Sequence, residues 1–311
     1  MTEFLWTEKY RPNRIEDCVL PPRIKDILLE YVKKGDVQNL LFAGGPGIGK
    51  TTAAIALCEE IGLNYMLINS SNENGIDVIR TKIVNYASTL SLRGGRKVII
   101  LDEADYLTPA NQAALRGTIE EFSNNCSFIL TCNFKAKLME AIHSRMSYID
   151  FNLSKTEKVN MATQFFKRLK TILTDEGIQF DPKVLADITN RFFPDYRRTL
   201  GELQRLSVMG KIDSETLSAL ADVKNVKELA GFLKEKNFRE VRKWVVDNSD
   251  VDVARIYRAI YDALDTLLKK TSIPMAIIIL AKYQYQNSFV ADTEINLVAC
   301  LTEIMVDCEF E

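Results

Sequence analysis

The segment that most restricts how this chain can fold is NLLFAGGPGIGKTT, residues 39–52. Leu40-Leu41-Phe42-Ala43 is a short apolar run of the kind that forms a buried strand. Gly44-Gly45-Pro46-Gly47-Ile48-Gly49-Lys50-Thr51 follows it, with the spacing Gly, four residues, Gly, Lys, Ser or Thr. Thr52 to Glu60 then reads as a helix. Strand, glycine loop and helix come in the order that a phosphate-binding loop demands. Glycine lets the backbone wrap an anion closely and reach φ > 0. The loop N–H groups and the helix N-terminus then face that anion. In such a loop Lys50 reaches the β- and γ-phosphates and Thr51 ligates Mg²⁺. The alternative is a glycine-rich turn before an ordinary helix, and the flanking strand argues against it.

Beyond the loop, strands and helices alternate. Tyr65 to Asn69, Lys97 to Asp102, Cys126 to Thr131 and Tyr148 to Phe151 are expected strands. Arg23 to Lys33, Ile76 to Ala87, Pro109 to Phe122 and Ala136 to His143 are expected helices. Continuous apolar strands between helices predict an α/β fold with a parallel sheet covered on both faces. The opening Trp6-Thr7-Glu8-Lys9-Tyr10-Arg11-Pro12 reads as an irregular arm. After Asn152 no strand is expected. Lys155 to Thr174, Pro182 to Phe192 and Pro194 to Met209 read as helices, with Ser154 and Pro194 as starts. A break at 210–213 precedes a second helical block, Val226 to Glu235, Phe238 to Val246, Val253 to Lys270, Pro274 to Tyr285 and Thr293 to Val306. The dense apolar run Ile277-Ile278-Ile279-Leu280 fits either a self-contained helical core or an oligomerisation surface. Three domains are expected, 1–152, 153–222 and 223–311.

Composition narrows the function. The 311 residues carry 40 Lys and Arg against 42 Asp and Glu, a net charge of −2. Any nucleic-acid surface must therefore be a local patch. The six cysteines form no C-x-x-C pair, which points to reduced thiols in a cytoplasmic setting, without a zinc module or disulfide framework. The opening MTEFLWTEKYRP lacks the apolar centre of a secretion signal. The run Met275 to Ala281 falls far short of the ~20 residues needed to span a bilayer, so no membrane role is expected.

Several residues beyond the loop suit phosphoryl chemistry. The strand Val98-Ile99-Ile100-Leu101 delivers Asp102-Glu103 to its end. Asp102 suits Mg²⁺, and Glu103 suits orienting or deprotonating an attacking water. Such a pair alone means little, but behind a phosphate loop it indicates a nucleotide triphosphatase. Asp102-Glu103-Ala104-Asp105 also spells the signature of DEAD-box helicases. Those enzymes need a second nucleotide-binding domain, and the helical C-terminal half does not offer one. Asn133 ends the next strand, where its amide can reach a γ-phosphate or the water. Arg145, in Ser144-Arg145-Met146, suits stabilisation of charge developing in phosphoryl transfer. His143 is the only histidine, without companions for a metal site.

Glu8-Lys9-Tyr10-Arg11-Pro12, the glycine loop, Asp102-Glu103-Ala104-Asp105, Asn133, Ser144-Arg145 and Asp195-Tyr196-Arg197-Arg198-Thr199-Leu200 together resemble the sliding-clamp loaders of the AAA+ ATPases. The similarity covers essentially the whole chain. It lies in the branch of replication factor C small subunits and their phage equivalents. FPDYRRTLGEL and Asn69 to Ala87 are most similar to the loader large subunits of T4-like bacteriophages. Bacterial loader ATPases usually carry a zinc module near the loop, which is absent here. The resemblance implies an AAA+ parallel-sheet domain, an all-α lid and an all-α collar. It implies that Thr7, Glu8, Lys9, Tyr10 and Val19 line the adenine side, and that Gly47, Ile48, Gly49, Lys50, Thr51 and Thr52 hold the phosphates of ATP. Thr51 and Asp102 would share Mg²⁺. Asn133 matches sensor 1, Arg197 the sensor 2 arginine of the lid, and Arg145 an arginine finger acting on a neighbouring subunit. Met146 stands where family members usually have Cys.

The helix from Ile76 matches the family's DNA-tracking element, with Arg80 and Lys82 toward one strand's phosphates. Asn74 and Gly117 stand where arginines are frequent in the family, and Gln112 matches a glutamine that couples the nucleotide site to DNA. The resemblance implies a DNA-dependent ATPase that opens a sliding clamp and closes it on primer–template DNA. Its partners would be the clamp, the DNA, further copies of itself and a distinct loader subunit. The setting would be cytoplasmic, in the host if the chain is phage-encoded. The competing readings are another AAA+ DNA motor, such as a branch-migration helicase, and a structural subunit that binds ATP without hydrolysing it.

Overall fold

A computed structural model describes residues 4–71, 76–89, 96–213, 226–249 and 251–310. The chain divides into two compact units, Met1–Ser214 and Glu215–Glu311. The first is built on a five-stranded parallel sheet of β1 (Leu40–Ala43), β2 (Tyr65–Asn69), β3 (Lys97–Asp102), β4 (Cys126–Cys132) and β5 (Ser147–Asp150), in the order β2-β3-β4-β1-β5. β1, β3 and β4 are buried almost throughout, as their unbroken apolar runs require.

Side chains alternate across the sheet. Leu40 and Phe42 enter one core layer with Ile24, Leu28 and Leu57, from α2 (Pro22–Lys34) and α3 (Lys50–Ile61). Leu41 and Ala43 enter the opposite layer with Ile83, Leu115 and Ile142, from α4 (Ile76–Ser88), α5 (Pro109–Glu121) and α6 (Glu140–His143). A period of two on the strands and helices on both faces produce this division. Register then aligns the strand ends: Ala43 pairs with both Cys132 and Asp150, and Leu101 with Leu130. Gly44, Asp102 and Asn133 therefore leave the sheet along one edge. The arm expected at the start contains a single-turn helix, α1 (Trp6–Lys9), with Trp6 buried.

The helices after the sheet are α7 (Lys155–Asp175), α8 (Pro182–Phe192) and α9 (Tyr196–Ser207). Ser154 and Glu157 form a reciprocal capping box at the start of α7. Arg23 grips the connection from sheet to α7, donating from Nη1 to the Asp150 carbonyl (2.6 Å), from Nη2 to that of Asn152 (2.7 Å), and from Nε to Glu157 (2.8 Å). Pro194 does not begin α9. The Asp195 carboxylate accepts from the Arg198 amide at 2.9 Å, so the N-cap is Asp195 and the helix starts at Tyr196. Contrary to the expectation of no strand after Asn152, β6 (Gln179–Phe180), between α7 and α8, pairs in parallel with β7 (Lys211–Ile212), which follows α9 at the expected break.

In the second unit the described helices are α10 (Val226–Lys234), α11 (Phe238–Asp247), α12 (Val253–Leu267), α13 (Ile273–Gln286) and α14 (Thr293–Asp307). They share one core, including Trp244, Ile260, Leu280 and Leu301. Buried Asn296 is satisfied by donating to the Tyr257 hydroxyl (2.9 Å) and the Tyr283 carbonyl (3.0 Å). Ile279 and Leu280 of the apolar run are buried, whereas Ile278 faces outward.

Phe42 is fully buried at the centre of the first unit and stacks near Phe151, with ring centroids 5.0 Å apart. Phe42→Ala is expected to cost about 3–5 kcal/mol of unfolding free energy in a urea titration of the first unit's transition.

Candidate nucleotide site

A cleft opens at the aligned strand ends. It is lined by the glycine loop and the start of α3, by Asp102, Glu103 and Asn133, by the segment from Thr7 to Leu20, and by Phe165, Arg168, Tyr196 and Arg197. Gly47 and Gly49 carry φ of +70° and +90°, where a side chain is strained. A Cβ on Gly47 would also fall 1.9 Å from Oδ1 of Asp195, and the Tyr196 amide donates to the Gly47 carbonyl at 3.0 Å. The first turn of α9 thus rests directly on the phosphate-binding loop.

Lys50 is buried at the root of this loop. Its ammonium donates to the carbonyls of Gly44 (2.8 Å) and Gly45 (2.7 Å) and to Oδ1 of Asn133 (2.9 Å). Burial lowers its pKa to about 8, because removing water disfavours the charged form. Beside it, the Thr51 hydroxyl donates to Oδ1 of Asp102 at 2.5 Å, and the Thr131 hydroxyl donates to the same oxygen. The Glu103 amide donates to Thr131 Oγ1 at 3.2 Å. Glu103 sits in the left-handed region at φ +56°, ψ +43°, uncommon for a residue with a side chain and most often found at functional sites. One hydroxyl and one carboxylate in contact suit Mg²⁺, which is held by one or two carboxylates together with substrate phosphates. Among the described residues no cluster of three or more His, Cys, Asp or Glu could hold a metal by itself.

Of the residues that the resemblance assigns to the adenine side, Thr7, Glu8, Tyr10 and Val19 line the cleft and Lys9 does not. Lys9 turns to Oε1 of Glu176 at 2.7 Å, and the Tyr10 hydroxyl donates to the same oxygen at 2.7 Å. These two hydrogen bonds, that of Lys9 first, hold the Glu176 carboxyl below its usual range. The arm is pinned further by Arg168, donating to the carbonyl of Tyr10 (2.8 Å), and by Gln204, accepting from the Trp6 amide (3.0 Å). Arg197 lines the cleft from α9. Arg145 lies outside it, at the end of α6, with its guanidinium on Glu120. Gln112 is buried and joins α5 to the segment after β4, donating to the carbonyls of Leu107 and Lys137 (both 3.0 Å) and accepting from the Met139 amide (2.7 Å). Lys82 is exposed on α4. The side chain of Arg80 and all of Asn74 lie outside the described residues.

Sequence reasoning missed Thr131, Arg168 and Glu176. A threonine closing the apolar run CSFILT was a visible signal. Arg168 lies in α7 and Glu176 caps its end, both over 150 residues from the segment they hold, and no local pattern marks them.

A phosphate loop, an acidic strand end, a polar residue on the neighbouring strand and an arginine from a helical lid define a P-loop ATPase. Residues 40–153 match the model of the ATPase family associated with various cellular activities (AAA). Residues 157–218 match the sliding-clamp-loader large subunit, AAA+ ATPase lid domain. The replication factor C small subunit of Sulfolobus acidocaldarius is 35% identical, over 99% of this chain and 97% of its own. The sliding-clamp-loader large subunit of enterobacteria phage T4 is 33% identical, over 99% and 97%. The chain belongs to this AAA+ family of clamp-loader ATPase subunits. Among solved structures, the Thermotoga maritima RuvB Holliday junction branch migration motor superposes with a TM-score of 0.53 at 17% identity, covering 72% of this chain and 78% of that one. At that identity the likeness concerns the fold alone.

The low pKa of Lys50 has a measurable consequence. An anionic ligand binds the charged ammonium, so this contribution is complete only well below about pH 8, where the group is half charged, and fades above it. Nucleotide affinity measured by calorimetry is expected to fall about tenfold from pH 7.5 to 9. A flat profile across that interval rejects the assignment.

Proposed function

We propose that the chain is the ATP-hydrolysing subunit of a sliding-clamp loader, coupling ATP binding and hydrolysis to placement of a clamp on primer–template DNA during replication. Residues 1–152 serve as the nucleotide-binding domain, 153–222 as the lid and 223–311 as the collar that joins subunits. The work is cytoplasmic, and no described helix is long and apolar enough to cross a membrane.

The geometry of the cleft supports an assignment of roles. Thr7, Glu8, Tyr10 and Val19 form the base side of the cleft, and residues 47–52 receive the phosphates. Lys50 already carries three oxygen partners in place of water. Phosphate oxygens can replace the two loop carbonyls while Asn133 keeps its hold. Thr51 and Asp102 would hold Mg²⁺, which would supply neutralisation of the phosphate charge. Glu103 orients the attacking water and takes its proton, at a backbone angle that turns it away from the strand direction. Arg197 approaches from the lid.

The observation that carries the oligomeric reading is the position of Arg145, outside its own chain's cleft. A cation there completes a site only on a neighbour. ATP at each junction then orders a ring of subunits, and DNA inside that ring, met by Arg80 and Lys82 of α4, aligns the junctions for hydrolysis.

Turnover of the chain assembled with its partner subunit tests this reading. Primer–template DNA and clamp together are expected to stimulate ATP hydrolysis well beyond either alone. Stimulation by DNA with no effect of the clamp points instead to a DNA motor of the branch-migration kind. Arg145→Ala is expected to preserve ATP affinity while lowering stimulated turnover by roughly 10³-fold or more, the scale of arginine fingers elsewhere. Unchanged turnover removes Arg145 from the neighbour's site.

A further inference from the structure

Arg145 is heavily engaged within its own chain. Nε donates to Oε1 of Glu120 at 2.7 Å, and Nη2 donates to the same oxygen. Nη1 donates to the Ala141 carbonyl at 2.6 Å and to Oγ of Ser144 at 3.1 Å. A guanidinium has five N–H donors in a fixed fork. Four are therefore occupied at home, and the one left free lies on Nη2. An arginine that grips a phosphate in the two-pronged manner needs two adjacent donors, so the present arrangement is incompatible with that grip.

Glu120 is placed to release its hold. It closes the last turn of α5, and its side chain is about half exposed, against 31% for Arg145. An ion pair this open to water is weak and is screened by salt. It also puts a carboxylate where the arginine must meet a triphosphate. The Glu120 charge repels that anion and offsets part of the positive field the arginine supplies.

We propose that Glu120 is a hold-back residue. It keeps Arg145 docked on its own subunit, and hydrolysis at the neighbouring nucleotide requires transfer of the guanidinium from Glu120 to the phosphate. The inference rests on the reading of Arg145 as a residue acting on its neighbour, and adds a brake to it. Glu120 touches no reacting atom and acts only through Arg145. Because the competitor is a single exposed carboxylate, the brake is shallow and serves to suppress idle turnover before DNA has aligned the subunits.

The test uses the assembled complex with three variants. Glu120→Gln keeps the shape and an acceptor oxygen but removes the charge. It is expected to raise ATP turnover without DNA by about two- to fivefold, the range of a weak ion pair. The rate with DNA and clamp is expected to stay within about twofold of the parent, since the brake is already off there. Raising the salt concentration is expected to narrow the difference between variant and parent. The double variant Glu120→Gln, Arg145→Ala is expected to be as slow as Arg145→Ala alone, which shows that the gain passes through the arginine. A Glu120→Gln complex with unchanged or reduced DNA-free turnover overturns the hold-back assignment. If Arg145→Ala is itself without effect, the earlier reading of Arg145 fails, and that result is separate from the behaviour of Glu120→Gln.

Discussion

One desolvated ammonium organises the site. Lys50 has lost most of its water and stands among three oxygens, two from the loop that leaves β1 and one from the residue that ends β4. A charge in that position is costly unless every nearby oxygen is correctly aimed. The loop root and the neighbouring strand end are therefore not independent. The parallel register that sets Ala43 opposite Cys132 brings Gly44 and Asn133 within reach of the same nitrogen. The acidic end of β3 follows from the same alignment, because β3 pairs with the opposite side of β4 from β1.

Most of this arrangement was legible in the sequence, because it is written in short-range patterns. Apolar runs of four to six residues marked the strands, and the glycine spacing marked the loop. Asp102-Glu103 and Asn133 stood out as polar residues at apolar ends. Helix boundaries were less secure where two signals competed. Pro194 looked like a helix start, but the capping carboxylate of Asp195 moved the start to Tyr196. Long-range polar contacts were illegible. The sequence placed Lys9 with the base, whereas Glu176, more than 160 residues away, draws it aside. Nothing in the spacing of α7 announces that Arg168 and Glu176 hold the opening segment. The pairing of Arg145 with Glu120 was equally invisible, since it joins the ends of two short helices that meet only in the fold.

The site is built with different degrees of freedom in its parts. Lys50 is held by Gly44, Gly45 and Asn133, and Asp102 by Thr51 and Thr131, at the ends of strands backed on both sides by apolar layers. The base side depends on a segment whose first turn is held by side chains from the helical lid, while its later residues Ile15, Cys18 and Leu20 enter the core. Arg145 belongs to neither set and is paired at the surface. Positions that must be accurate before a ligand arrives are buried in the sheet, and positions that must respond to one are held by exposed or single contacts.

Gly47 joins two of these parts. Its positive φ suits the curvature of the loop, and its missing side chain admits Asp195 of α9, while its carbonyl receives the Tyr196 amide. The face that turns inward can wrap an anion, and the face that turns outward is a bearing for the lid. Filling the cleft therefore presses on a surface that is already in contact with the helix carrying Arg197. The loop and the lid meet at a residue whose side chain is a single hydrogen atom.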